Sequence, residues 1–287
     1  YITTSAKLQV GHPPGAPLYQ MLGAIFSIFA IEKENIGFTM NLMSGFASAL
    51  TISFMYWSII LIIRKITDTS EASIYRQILI SGSALVGSLA FAFTDTFWFS
   101  AVETEVYAMA TLIMATMFYL ALRWESDMDE TRGNRWLLLI CFVIGLSFGV
   151  HFMGLLVIPA IVMIYYFKNQ DRILSSTKIN PILGFLIANV IGLAILMGVF
   201  KLLLPNTLKF FSAIELLFVN NLGLPFNSGT LAAFIVIVYV FYFLISYTRK
   251  TGKVSANTIT LCFLFIFIGF SSWLILPIRA NADVVVN

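Results

Sequence analysis

The sequence predicts an all-α polytopic membrane protein: a helical bundle of about eight transmembrane helices with one further helix lying along the outer face. Composition is the first reason. Of 287 residues, 59% are hydrophobic and only 11% charged, roughly half the charged share of an ordinary soluble domain. The second reason is run length, because apolar stretches of about 18 residues, enough to cross roughly 30 Å of hydrocarbon, recur along the whole chain. The third is the placement of Lys and Arg, which sorts the loops between two sides.

Eight apolar runs are expected to cross, at residues 39–63, 77–93, 106–122, 136–150, 152–167, 183–204, 231–247 and 259–276. If they alternate, Arg64, Lys65, Arg76, Arg123, Arg132, Arg135, Lys168, Arg172, Lys178, Arg249, Lys250 and Lys253 share one side. That is 12 of the 17 basic residues, which marks that side as cytoplasmic. A ninth apolar segment, 12–30, begins with three prolines and contains Gly15 and Gly23. Were it a full crossing, its polar start would move to the basic side, so it is expected as an interfacial or re-entrant helix on the outer face. The whole chain then forms a single transmembrane domain, residues 1–287, with an outer loop and interfacial helix at 1–38, the bundle at 39–276 and the start of an outer tail at 277–287. It opens at Tyr1 without an initiator Met and is expected to be cut at both ends.

Several function classes fall away on residue content. The net charge of +3 is small and its basic residues are scattered, which argues against nucleic acid as a partner. Cys141 and Cys262 lie in apolar runs with no paired spacing, so they read as small hydrophobes. No P-loop, HExxH, GxSxG or paired-cysteine metal motif occurs. No metal ligand set is assigned, and dependence on a divalent metal stays open.

The polar residues on the outer side carry the candidate chemistry. Gly11-His12-Pro13-Pro14-Gly15-Ala16-Pro17 is an imidazole in a loop stiffened by fixed φ angles, leading into an apolar helix. Its competing reading is an interfacial turn with a solvated histidine. Asp95, Glu103 and Glu105 lie between two apolar runs amid Phe93, Phe97, Trp98, Phe99 and Tyr107. Carboxylates at a membrane boundary are costly unless they face water or a cavity, so three of them suggest a polar pocket; an aromatic belt with ordinary outer-loop acids competes. On a continuous helix Glu103 and Tyr107 would be neighbours, and Glu105 would be turned about 200° from Glu103, leaving one glutamate per cavity face. His151 sits in a tight hairpin between Gly149 and Gly154, where a histidine also serves simply to cap a bend. Arg279, after Leu276-Pro277-Ile278, offers a guanidinium suited to a phosphate, or a snorkelling interfacial arginine. Ser44, Gly45, Ala47, Ser48 and Ala49 read as close helix packing, and Asp127, Asp129 and Glu130 as a solvated cytoplasmic loop.

Three strings together, residues 7–17, residues 95–107 and residues 276–279, resemble a bacterial membrane family, common in Bacteroidetes, that is related to animal transmembrane protein O-mannosyltransferases. The resemblance spans nearly the whole chain and implies the GT-C glycosyltransferase superfamily. It further implies a polyprenyl-phosphate sugar as donor and a hydroxyl acceptor, Ser or Thr of an exported protein. Residues Glu103, Glu105 and His12 would belong to the reaction centre, and Asp95, Pro13, Pro14, Tyr107, His151 and Arg279 to substrate binding. The family's acidic residue of the first outer loop would precede Tyr1, since no acid lies between Tyr1 and Ala30, so the main catalytic carboxylate is expected upstream. The expected location is a bacterial inner membrane, multi-pass, with the active face periplasmic and membrane lipid and other membrane proteins as neighbours. A non-catalytic subunit of a membrane secretion or assembly complex is the alternative. A lipid or solute transporter is a weaker one, because the span interiors are nearly free of charge.

Overall fold

The computed structural model describes residues 1–11, 15–67 and 73–280; His12, Pro13, Pro14 and the tail 281–287 lie outside the described residues. Every element among them is helical. In chain order these are α1 (Ile2–Ala6), α2 (Pro17–Ser27), α3 (Ile36–Ile66), α4 (Ile74–Ala92), α5 (Asp95–Val102), α6 (Val106–Asp127) and α7 (Asn134–Ser147). They continue with α8 (Ile158–Lys168), α9 (Gln170–Thr177), α10 (Pro181–Met197), α11 (Leu204–Leu216), α12 (Ser228–Lys250), α13 (Val254–Phe270) and α14 (Ile275–Ala280).

Each expected crossing coincides with a helix, but the crossings are not equal. Six helical segments are long and apolar enough to span: Lys33–Ile66, Ile74–Ala92, Val106–Asp127, Pro181–Asn221, Ser228–Lys250 and Val254–Arg279. A seventh is Phe152–Lys168 with Gln170–Thr177, bent by 74° at the break. The run at 136–150 becomes α7, whose 14 residues cover about 21 Å, short of the roughly 30 Å core. The chain is therefore a multi-pass α-helical membrane protein. As expected for a non-spanning element, α2 has 11 residues, and it starts at Pro17, where the missing N–H costs nothing.

The chain forms two compact units, Tyr1–Val157 with Ile266–Asn287, and Ile158–Phe265. In the first, α3 is the centre, with α6, α4, α5 and α2 packed around it. The buried face of α3 repeats at helical spacing through Met40, Met43, Ser44, Ala47, Ser48 and Thr51, and α6 answers with Ala110, Ile113, Met117 and Ala121. Small residues let backbones approach closely where lipid offers no hydrophobic drive between helices. α7 and the end of α13 approach closely, a Cβ added at Gly145 lying 2.9 Å from Gly269 Cα.

Basic side chains gather at the end of this unit formed by the C-termini of α3 and α6 and the N-terminus of α7. Lys65 pairs with Glu125. Asp127 accepts from Trp136 Nε1 at 2.7 Å and from Arg135 at 3.1 Å, with Arg123 at 3.7 Å. Both guanidiniums lie over the Trp136 ring, 5.2 and 4.9 Å from its centroid. Asp127 is thus a structural anchor of the α6–α7 hairpin, not the solvated loop acid that its neighbours in sequence suggest.

In the second unit α10 packs on α8, with Gly192 set against the Pro159 backbone. Much of the stretch between the runs expected at 183–204 and 231–247 is helical: Pro181–Asn221 runs as one 41-residue helical segment. Pro205 ordinarily breaks a helix, but the π-helical stretch Gly198–Leu203 immediately precedes it, and a widened turn tolerates the missing N–H. A cleft of about 610 Å³ opens at this π stretch, lined by Val199, Leu202, Asn206 and Phe210 against Ile237 and Phe263. Glu215 then accepts from the Asn227 and Thr230 backbone N–H groups at 2.6 and 2.7 Å, which caps the N-terminus of α12.

Candidate functional site

At the end of the first unit opposite its basic cluster, the chain between α5 and α6 is a turn. Glu103 and Glu105 have extended backbones, with φ −107°, ψ 144° and φ −133°, ψ 156°. The Glu105 N–H donates to the Glu103 carbonyl at 2.9 Å, closing a three-residue turn about Thr104. This corrects the helical reading. Glu103 is not on a helix with Tyr107, and the two glutamates flank one turn rather than pointing about 200° apart as helical neighbours would. The Thr104 hydroxyl donates to Asn41 Oδ1 on α3. Neither Glu103 nor Glu105 has an ion-pair partner among the described residues.

Tyr107 opens α6, is 48% exposed, and places its ring 5.5 Å from that of His151. His151 is held by its hairpin: its N–H donates to Ser147 O at 2.8 Å and its carbonyl accepts from Ser147 Oγ at 3.1 Å. His151 Nδ1 accepts from the Met153 N–H at 3.1 Å, which puts the proton of a neutral ring on Nε2. The hairpin also anchors α2, because Gly149 O accepts from Leu18 and Tyr19 N–H at 2.8 and 3.1 Å. These are donors that the start of a helix leaves unpaired. Gly149 has to lack a side chain, since a Cβ there would lie 2.7 Å from Leu18 Cβ. Trp273 Nε1 donates to Phe148 O at 2.9 Å from the other side.

Four residues of this end had drawn no attention as site residues in the sequence. Tyr19 is 1% exposed and its ring stands edge-on to Tyr1 at 5.2 Å. Burial first, then the charge of Glu105, pushes the Tyr19 phenol well above its ordinary value. Burial and then Glu105 raise Tyr1 in the same direction. Gln20 is 3% exposed. Its amide, with nitrogen and oxygen assigned to suit its surroundings, donates to Gln9 O and Gly15 O at 3.1 and 3.2 Å and accepts from Gly11 N–H at 3.3 Å. It therefore ties together the residues on both sides of His12–Pro14. The fourth is Asn41. For Tyr19, Gln20 and Asn41 a signal existed: a polar or phenolic group inside an apolar run has to find a partner.

The remaining candidates are less converged. Asp95 is exposed in the first turn of α5, and that eight-residue helix separates it from Glu103 by about 12 Å. Arg279 donates from Nε to Leu8 O at 2.6 Å and from Nη2 to Lys7 O at 3.4 Å, so part of its fork pins α14 to the segment after α1. No group of three His, Cys, Asp or Glu side chains suited to a metal occurs among the described residues.

The sequence profile of the family described as the Protein O-mannosyl-transferase TMEM260 N-terminal domain matches residues 1–174, more than half of the chain. The chain belongs to this family. The matched stretch holds the Glu103–Glu105 turn, Tyr107 and the His151 hairpin, and ends before Arg279. Among its relatives, the mouse protein O-mannosyl-transferase TMEM260 is 25% identical over 149 residues, 51% of this chain and 18% of the mouse protein. The Dictyostelium discoideum protein O-mannosyl-transferase tmem260 is 21% identical over 184 residues, 60% of this chain and 20% of that protein. The chain thus spans about a fifth of the length of these family members. No solved structure matches it.

Proposed function

We propose that this chain is membrane-embedded machinery of a GT-C glycosyltransferase, moving a sugar from a polyprenyl-phosphate donor to a hydroxyl acceptor, Ser or Thr of an exported protein. The observation that carries the reading is the family match over residues 1–174, because it includes the turn whose two carboxylates have no ion-pair partner among the described residues, together with Tyr107 and His151. The acceptor oxygen forms a bond to the anomeric carbon as the bond from that carbon to the phosphate oxygen breaks. The hydroxyl proton passes to a carboxylate, and the lipid phosphate departs with the electron pair. Glu103 and Glu105 hold the acceptor hydroxyl and take part in its deprotonation. His151, with its N–H at Nε2, and the unengaged N–H groups of Arg279 face the developing phosphate charge. His12 borders the reaction centre. The basic end lies in the cytoplasm of a bacterial cell and the carboxylate end in the periplasm.

The test is sugar transfer by the full-length protein in detergent, with a panel of polyprenyl-phosphate sugars and exported-protein acceptors. Glu103→Gln or Glu105→Gln is expected to lower turnover by about 10²-fold, the usual weight of a positioned acid–base group. Absence of turnover by the wild type with every donor would overturn the reading.

A further inference from the structure

The Glu103–Glu105 turn belongs to neither α5 nor α6, so something else has to fix it. Its central side chain supplies the tether: Thr104 Oγ1 donates to Asn41 Oδ1, a side-chain bond that closes 63 residues of sequence. Asn41 lies in the second turn of α3, a 31-residue helix that is otherwise largely apolar, where an amide without a partner would be costly. One face of α3 carries further support. It meets α5 at Gly45, where a Cβ would make ordinary contact with the Ala101 carbonyl at 3.7 Å, and Ser44 is buried beside it. Residues 41, 44 and 45 share that face by their three- and four-residue spacing.

We infer that Asn41 is a positioning residue for the Glu103–Glu105 turn, acting through Thr104, and that it sets the placement of both carboxylates at once. A three-residue turn is held at its middle, so releasing Thr104 releases the residues on either side. The functional half of this inference rests on the sugar-transfer reading; the geometric half does not.

Two readouts keep those halves apart. In the full-length protein, carbodiimide-driven amidation of Glu103 and Glu105 is quantified by peptide mass spectrometry for wild type, Asn41→Leu, Thr104→Val, Thr104→Ser and the double variant Asn41→Leu/Thr104→Val. The ratio of labelling at Glu103 to that at Glu105 is expected to change in both hydroxyl- or amide-deleting variants, and to return to the wild-type ratio in Thr104→Ser, which keeps the hydroxyl. In the transfer assay each deleting variant is expected to lose about 10- to 100-fold in kcat, the scale of a misplaced catalytic group, with donor KM little changed. The double variant should be no worse than either single one, since both remove the same bond. An unchanged labelling ratio in Asn41→Leu and Thr104→Val would overturn the inference, as would additive losses in the double variant. A shifted ratio in a protein that transfers no sugar would leave the positioning role standing and remove the transfer reading.

Discussion

The two ends of the first unit treat their charges in opposite ways. At the basic end Asp127 takes hydrogen bonds from Trp136 and Arg135 with Arg123 alongside, and Lys65 meets Glu125. Asp127 and Glu125 are each matched there by a cation. At the other end Glu103 and Glu105 have no ion-pair partner among the described residues, and the turn between them is held by the Thr104 hydroxyl on Asn41. A matched charge near a membrane is an anchor. An unmatched one held by neutral groups keeps its lone pairs for something that is not part of the fold, and that is what makes the carboxylate end the candidate site.

Stability measurements can break or sharpen this contrast. The largest effect is expected for Asp127→Ala, which leaves Arg135 and the Trp136 N–H unpaired; about 2–3 kcal/mol of unfolding free energy should be lost in detergent, read by a thermal melt. Gln20→Leu comes next, at about 1–2 kcal/mol, because it orphans two carbonyls and an N–H around the His12–Pro14 segment. Limited proteolysis should then cut that segment faster.

Glu103→Gln and Glu105→Gln should shift stability by no more than about 0.5 kcal/mol, the range of changes that break no structural bond. The smallest effect is expected for Tyr19→Phe, and it depends on pH. An unfolded tyrosine loses its proton near pH 10, at roughly its reference value, whereas folded Tyr19 keeps it to higher pH. Its contribution is therefore whole below about pH 10 and is lost as pH rises further. The Phe variant should lose less stability than the wild type in that alkaline window, checked by chemical unfolding at stepped pH.

Much of this architecture was legible in the sequence because membrane crossing leaves a strong length-and-charge signature. Within the first unit the basic ends of α3, α6 and α7 gather at one end, as the Lys and Arg pattern has them. The misreadings have local causes. Pro205 looks like a helix end, yet the preceding π stretch absorbs it. The polar string 95–107 looks like one helix by its i, i+4 spacing, yet it is a short helix, a turn and a second helix. The acids themselves were visible as charge amid aromatics. What fixes them was not, since Asn41 meets Thr104 across 63 residues and Arg279 meets Leu8 across 271, and such pairings leave no periodic trace.

The most direct measurement places Glu105→Gln and Asp127→Asn side by side, each assayed for both thermal stability and sugar transfer in the same detergent. The expected result is a crossing: Glu105→Gln keeps its melting temperature and loses transfer, while Asp127→Asn loses melting temperature and keeps transfer per folded molecule. If Glu105→Gln instead loses stability and retains transfer, the carboxylate end is scaffold and the site lies elsewhere.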